Sequence, residues 1–401
     1  MSTSLFANVE MAPRDPILGL NEAYNAETNP AKVNLGVGVY FGDDGKIPLL
    51  AAVKQAEQAR LAAQPPRGYQ PIEGTPAYNG AVQNLLFGKE SELLAAGRAI
   101  TAQCLGGTGA LKVGADYLKR LLPDATVYIS DPSWENHRAL FEAAGFPVKD
   151  YKYYDPATRG ADFAGMKAAL NAMPVKSIVV LHACCHNPTG ADLTAAQWAE
   201  VVDTVKEKNL VAFIDMAYQG FAEGIQQDAV ALDLFAASGL QFFVSSSFSK
   251  SFSLYGERVG ALTIVTAGKD ESARVLSQVK RVIRTNYSNP PTHGGAVVAA
   301  VLSSPELRQM WEDELGGMRD RIRAMRTSLV DKLKAAGAPD FGFINVQRGM
   351  FSYTGLTAAQ VEKMRAEYGI YAVGTGRICV AALNTKNIDY VAKAIAAVLK
   401  G

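Results

Sequence analysis

Between about residue 100 and residue 265, short apolar runs rich in β-branched and aromatic residues alternate with stretches of helical periodicity. The apolar runs fall at 126–130, 177–182, 210–215, 241–246 and 261–265. Helical stretches at 110–122, 137–144, 163–172 and 195–208 separate most of them. A strand that is apolar on both faces must be covered on both faces, and an intervening helix supplies the cover. The pattern therefore predicts an α/β domain with a buried, mostly parallel sheet flanked by helices. In such sheets ligands sit beyond the carboxyl ends of the strands.

The rest of the chain is organised around that core. The first 15 residues, with Pro13 and little periodicity, read as an extended arm. A helix is expected over 48–63, with Pro48 in its first turn, ended by Gln64-Pro65-Pro66-Arg67-Gly68. Residues 294–336 read as mostly helical, interrupted near Pro305. Beyond them come Gly-rich turns, short strands at 350–353 and 378–382, and a last helix at 387–399. The expected division is an arm (1–15), a segment joining the small domain (16–47), a large domain (48–310) and a small α+β domain (311–401).

Charge and composition exclude some functions. Lys and Arg number 40 against 39 Asp and Glu, which argues against a dedicated nucleic-acid binder. The most apolar stretch, 178–185, is far too short to span a bilayer and contains His182. The start of the chain lacks a basic segment followed by an apolar core, so no secretory signal is expected. Cys104, Cys184, Cys185 and Cys379 are too few for a disulfide framework in a chain of 401 residues. The expectation is a soluble cytoplasmic protein with reduced thiols and no membrane or nucleic-acid partner.

Polar residues collect where the strands end. Run 210–215 ends in Asp215, followed by Tyr218; run 241–246 leads into Ser247-Phe248-Ser249-Lys250. Run 177–182 leads into His182-Ala183-Cys184-Cys185-His186-Asn187-Pro188-Thr189-Gly190. Gly106-Gly107-Thr108-Gly109 precedes the helix at 110–122. Those glycines make either a plain turn or a backbone cradle for phosphate at a positive helix end. They are not a dinucleotide fingerprint, which argues against a nicotinamide enzyme. Lys250 is either a surface charge or a desolvated amine able to form a Schiff base. Asp215 either caps a helix or pairs with a protonated ring nitrogen. Arg258, Arg284 and Arg377 are solvated charges or planar forks for phosphate and carboxylate. Trp134 is core, or it stacks on a flat cofactor. The His/Cys cluster has no second pair at finger spacing, so no metal is expected and Asn187–Gly190 reads as a turn.

At this point the chain resembles the aspartate and aromatic aminotransferases, pyridoxal-phosphate enzymes. The segments that carry the resemblance are VNLGVGVY, GGTGALKVGADYLKR, DPSWENH, CCHNPTGADLT, DMAYQGF, SSSFSKSFSLYGERVGAL, RTNYSNPP, RGMFSYTGLT and GRICVAALN, in family order from about residue 13 onward. The resemblance implies a seven-stranded sheet in the large domain and pyridoxal 5'-phosphate as cofactor. It implies that Lys250 carries the cofactor as a Schiff base and acts as general base. Asp215 would hold the pyridinium nitrogen; Asn187 and Tyr218 would bond its phenolic oxygen. Gly107, Thr108, Ser247 and Arg258 would bind the phosphate, and Trp134 would stack on the ring. Arg377 would take the substrate α-carboxylate, with Gly38, Trp134 and Asn187 also lining the substrate site. A homodimer is implied, with Tyr69 reaching the neighbour's phosphate and Arg284 the neighbour's substrate side chain.

Substrate choice is expected from departures within that resemblance. Phe41, Ile47 and Gly68 stand where strict aspartate enzymes usually or often have Lys, Thr and Asn, making an apolar and roomier rim. Arg348 and Cys379 look like the tyrosine type, while Val39, Thr108 and Asn289 look like the aspartate type. The expected activity is ping-pong transamination of tyrosine or phenylalanine with 2-oxoglutarate, with aspartate and glutamate also accepted. The alternative is an aspartate-specialised aminotransferase.

Overall fold

The computed structural model describes residues 4–400. Its centre is a seven-stranded sheet: β1 (Ala99–Leu105), β2 (Val127–Asp131), β3 (Val148–Lys152), β4 (Ile178–His182), β5 (Val211–Met216), β6 (Phe242–Ser247) and β7 (Val259–Val265). The spatial order is β1-β7-β6-β5-β4-β2-β3. All neighbours are parallel except β7, which runs antiparallel to both β1 and β6. The five expected runs are all strands, each within two residues of its predicted bounds.

Two strands escaped the sequence reading. β1 carries Thr101 and Gln103, which break its apolar run. Both are buried and satisfied: Thr101 Oγ1 lies 2.8 Å from Thr263 Oγ1, and Gln103 Nε2 donates to Pro291 O at 2.9 Å. β3 is an edge strand of sequence VKDYK, with only Tyr151 buried, so its composition reads as a loop.

Both faces of the sheet are covered. Val180, Phe213 and Leu262 enter one apolar cluster, while Val179, Leu181, Ile214 and Val244 enter the other. Adjacent residues point to opposite faces, so this alternation is what a doubly covered sheet requires. Helix Gly106–Leu121 closes on one face, where Gly114 allows the approach; a Cβ there would lie 2.5 Å from Phe213. That helix begins four residues before its expected start, so the glycines form its first turn rather than a preceding loop.

The N-terminal and C-terminal segments meet outside this sheet. Strand Val33–Asn34 pairs in parallel with Ile370–Tyr371, and Phe351–Tyr353 pairs antiparallel with Arg377–Cys379. The expected strand 378–382 stops at Cys379 and becomes a 3-10 turn, because Val380 N turns to Met350 O at 2.8 Å. Helix Pro305–Ala335 runs for 31 residues behind these elements, capped by Ser304, whose hydroxyl accepts from Leu307 N at 3.2 Å. Residues 4–17 form turns but no helix or strand, and Leu5, Phe6, Val9 and Met11 lie exposed along them. Among the described residues, no helix is long and apolar enough to cross a membrane.

Candidate active site

The carboxyl ends of β4, β5 and β6 and the amino end of helix Gly106–Leu121 converge on a cavity of about 240 Å³. Gly38, Gly107, Thr108, Trp134, Asn187, Asp215, Tyr218, Ser247, Lys250, Arg258 and Arg377 all line it. Eleven sequence-predicted site residues are thus brought together from segments spread over some 340 positions.

One end suits an anion. The helix starts here, so the first backbone N–H groups have no intrahelical acceptor. Gly106 has φ +69, and a Cβ there would lie 2.5 Å from Arg258 Nη2. Arg258 itself sits in the left-handed region at φ 54, its guanidinium held by Tyr255 O at 3.0 Å and Ser249 Oγ at 3.3 Å. Ser247 Oγ lies beside Gly107, where a Cβ would approach its side chain to 3.2 Å. Backbone donors, a serine hydroxyl and a guanidinium thus face one space.

The middle carries an acid and an amine. Asp215 closes β5 and is buried; its Oδ2 lies 2.9 Å from His137 Nε2. Burial alone would raise its pKa, but the His137 hydrogen bond and the Lys250 charge prevail and hold it below the usual carboxylate value. The proton order along the imidazoles follows from the contacts. Asn187 N–H points at His182 Nδ1 (3.5 Å), leaving the proton on Nε2 to reach Ser133 Oγ at 3.2 Å. Ser133 then donates to His137 Nδ1 at 3.0 Å, and His137 Nε2–H donates to Asp215. Burial pushes the His182 pKa down to about 3, which keeps that ring neutral. Lys250 is likewise desolvated, and its pKa falls to about 8 despite the pull of Asp215. Its ammonium lies 4.8 Å from the Tyr218 ring centre. Burial raises the Tyr218 phenol above its usual pKa, so it remains a donor.

The other end holds Arg377, which is 1% exposed. Nη1 donates to Asn187 Oδ1 at 3.0 Å and Nη2 to Gly36 O at 2.7 Å, while Nε is buried without a partner. Among the described residues, no carboxylate pairs with it. A buried cation with an unused donor is a ready receptor for a carboxylate. The Phe351 ring lies 4.3 Å from the guanidinium, and Gly38 leaves room for that ring, since a Cβ there would lie 2.7 Å from it.

Two predicted site residues stand apart from the cavity. Tyr69 is 96% exposed, and Arg284 is exposed in the last turn of helix Lys269–Asn286, donating to Ser288 Oγ. Phe41, Ile47 and Gly68 do not line the cavity of a single chain either; Phe41 faces a separate groove beside Asn21 and Tyr390. Sequence reading also missed residues. Ile17, Tyr255 and Phe351 line the cavity, and His137 orients Asp215, yet none has local chemistry that marks it. The His182/His186 pair has other uses: His186 bonds Ser130 and Thr189 through its two ring nitrogens, at 2.9 and 2.8 Å.

Residues 30–395 match the family Aminotransferase class I and II. The chain belongs to the class I and II aminotransferases. A Pseudomonas aeruginosa relative named aspartate aminotransferase is 70% identical over 397 residues, 99% of this aminotransferase and 100% of the relative. The crystal structure of an aromatic-amino-acid aminotransferase from Burkholderia pseudomallei, covalently bound to pyridoxal phosphate, is also 70% identical. Its TM-score is 0.97, with 99% of this aminotransferase and 100% of that chain covered. A psychrophilic aromatic amino acids aminotransferase from Psychrobacter sp. B6, cocrystallised with aspartic acid, is 46% identical with TM-score 0.97, over 99% and 100% of the two chains. The cavity of this aminotransferase fits a cofactor with a phosphate, a basic ring nitrogen and an aldehyde. The Gly106 turn and Arg258 leave the phosphate space, buried Asp215 offers the nitrogen an anion, and Lys250 offers the aldehyde an amine.

Proposed function

We propose that this enzyme is an aromatic-amino-acid aminotransferase that also accepts aspartate and glutamate, with pyridoxal 5'-phosphate as cofactor. The observation that carries the reading is a single cavity holding a desolvated lysine, a buried carboxylate and a buried arginine with a free donor. Arg377 binds the α-carboxylate common to all the substrates. The Lys250 amine, deprotonated in appreciable fraction near its pKa of about 8, takes the Cα proton as general base. Bound pyridoxal phosphate supplies the electron sink for the pair left on Cα. Asp215, kept ionised by His137, holds a proton on the ring nitrogen. Asn187 and Tyr218 donate to the phenolic oxygen, Trp134 covers the ring, and Gly107, Thr108, Ser247 and Arg258 take the phosphate. Gly38 shapes the substrate end.

The active form in this reading is a cytoplasmic homodimer. The exposure of Tyr69 and Arg284, together with the exposed apolar residues of the arm, supports it. Tyr69 then reaches the partner's phosphate site and Arg284 the partner's substrate side chain. Two 70%-identical relatives bear opposite names, one aspartate and one aromatic, which favours a site serving both substrates. An aspartate-specialised enzyme is the second reading, favoured by the first of those names.

Steady-state transamination of phenylalanine, tyrosine and aspartate with 2-oxoglutarate tests the proposal. All three should turn over with parallel double-reciprocal lines, and Lys250→Ala should abolish each. Turnover of aspartate alone selects the second reading, and full activity of Lys250→Ala overturns the mechanism.

A further inference from the structure

Helix Pro305–Ala335 carries Arg319, Arg323 and Arg326, spaced four and three apart and so on one face. All three donate to backbone carbonyls. Arg319 Nη1 reaches Gly220 O at 2.9 Å, and Arg323 Nη2 reaches Ala222 O at 2.7 Å, in the segment following Tyr218. Arg326 goes deepest. It is 2% exposed and donates to Ile344 O at 3.1 Å, Gly349 O at 2.7 Å and Phe351 O at 2.6 Å. Among the described residues, no carboxylate lies within ion-pair distance of it.

An unpaired buried guanidinium is an expensive way to fill space. A leucine or methionine there would pack without the desolvation cost. What the arginine adds is three directed bonds to one segment, from the short helix Phe343–Val346 through the turn at Gly349 to the start of strand Phe351–Tyr353. That turn needs holding: Gly349 lies at φ +79, where a Cβ would come within 2.4 Å of Cys185 Cβ, and the chain then passes directly into Phe351. The Phe351 ring faces the Arg377 guanidinium at 4.3 Å and packs on Gly38. Arg326 therefore grips the backbone of the residue whose ring supports Arg377.

We propose that Arg326 is a positioning residue for the substrate α-carboxylate: by fixing the Phe351 backbone, it sets the plane of the Arg377 guanidinium. The inference rests on the reading of Arg377 given above. Because the α-carboxylate is common to every substrate, the effect falls equally on aromatic and acidic amino acids. It falls on binding rather than on the proton transfer at Lys250.

The test uses holoenzyme and 2-methylaspartate, which has no Cα hydrogen to lose, with binding read from the visible band. Arg326→Met should raise its Kd, and the KM for both aspartate and phenylalanine, about ten- to a hundredfold, with kcat nearly unchanged. Arg326→Lys, which keeps donors for some of the carbonyls, should recover part of the loss. A variant that melts earlier but binds 2-methylaspartate like the parent overturns the proposal. Should Arg326→Met fail to fold, Arg326→Lys and Phe351→Leu are combined. Effects on Kd that are less than additive support the coupling, and fully additive effects overturn it. Arg377→Leu is measured alongside. If it leaves Kd unchanged, the reading of Arg377 has failed; if it weakens binding while Arg326→Met does not, only this inference has failed.

Discussion

Arg377 Nη1 and Asn187 Oδ1 are hydrogen-bonded at 3.0 Å inside the cavity, both side chains buried. The bond joins the residue proposed for the substrate carboxylate to one proposed for the cofactor's phenolic oxygen. Neither group can be removed without leaving the other short of a partner.

Arg377→Leu therefore has two effects. It leaves Asn187 Oδ1 and Gly36 O without their donor, costing about 1–3 kcal/mol of stability per unsatisfied group. It also deletes the proposed receptor for every α-carboxylate. The ratio kcat/KM should fall tens- to thousands-fold for aspartate and phenylalanine alike, corresponding to about 2–5 kcal/mol. A loss confined to one substrate, read in parallel assays, counts against the assignment.

Arg284→Leu should behave differently. Its effect should be large with aspartate, tens- to thousands-fold, and small with phenylalanine. The proposed dimer places this side chain in the partner's site, and hybrids test that placement. Mixing Arg284→Leu chains with Lys250→Ala chains creates one site with both lesions and one with neither. Aspartate activity should reappear on mixing. If it does not, Arg284 serves its own chain or none.

Lys250 sets a pH dependence in the cofactor-free protein. Burial lowers its pKa from the ordinary 10.5 to about 8, so between those values the unfolded chain binds the additional proton. The native state is thus penalised below pH 8, and the penalty fades as pH rises toward 10.5. Lys250→Met removes the penalty altogether. The variant should be the more stable at pH 7, by up to about 3 kcal/mol, with the difference shrinking as pH rises. Denaturant unfolding at several pH values reads this directly, and a gap that widens with pH has the wrong sign.

Asp215→Asn keeps the shape of the site but removes the anion. Hydrogen bonds to charged groups contribute about 1.5–3 kcal/mol, so turnover should fall at least about tenfold. Asp215 is held below the usual carboxylate range, so its protonation should produce no acid limb in the rate profile above pH 5. His137→Asn, which weakens that hold, should shift the limb upward.

Much of the architecture was legible because burial writes itself into composition. A strand covered on both faces is apolar along most of its length, and the runs leading to Asp215 and to Lys250 are apolar until the polar residues at their carboxyl ends. β1 was not legible, because Thr101 and Gln103 satisfy their polar groups through the contacts of Thr263 and Pro291, partners more than 160 positions away. At Lys250, Asp215 and Arg377 the residue types marked candidates but left each open between a bland role and a functional one, and the resemblance chose between them. Phe351, Tyr255 and Ile17 gave no such signal, since an apolar or aromatic side chain looks the same in a core as in a cavity wall. Tyr69 gave none from chemistry either, and Arg284 only the general promise of a guanidinium; their assignment to a neighbour's site came from the resemblance, and in one chain they are simply exposed.

In the proposed function, one Lys250-based site serves both acidic and aromatic amino acids. The visible absorbance of the enzyme loaded with pyridoxal phosphate tests it most directly, with aspartate added to one sample and phenylalanine to another. A yellow band that both amino acids bleach is the expected result, while in Lys250→Ala, which lacks the base, neither amino acid should bleach the colour of the bound cofactor. A band bleached by aspartate but untouched by phenylalanine would contradict the dual site, and a loaded enzyme that never shows the band would contradict the role of Lys250.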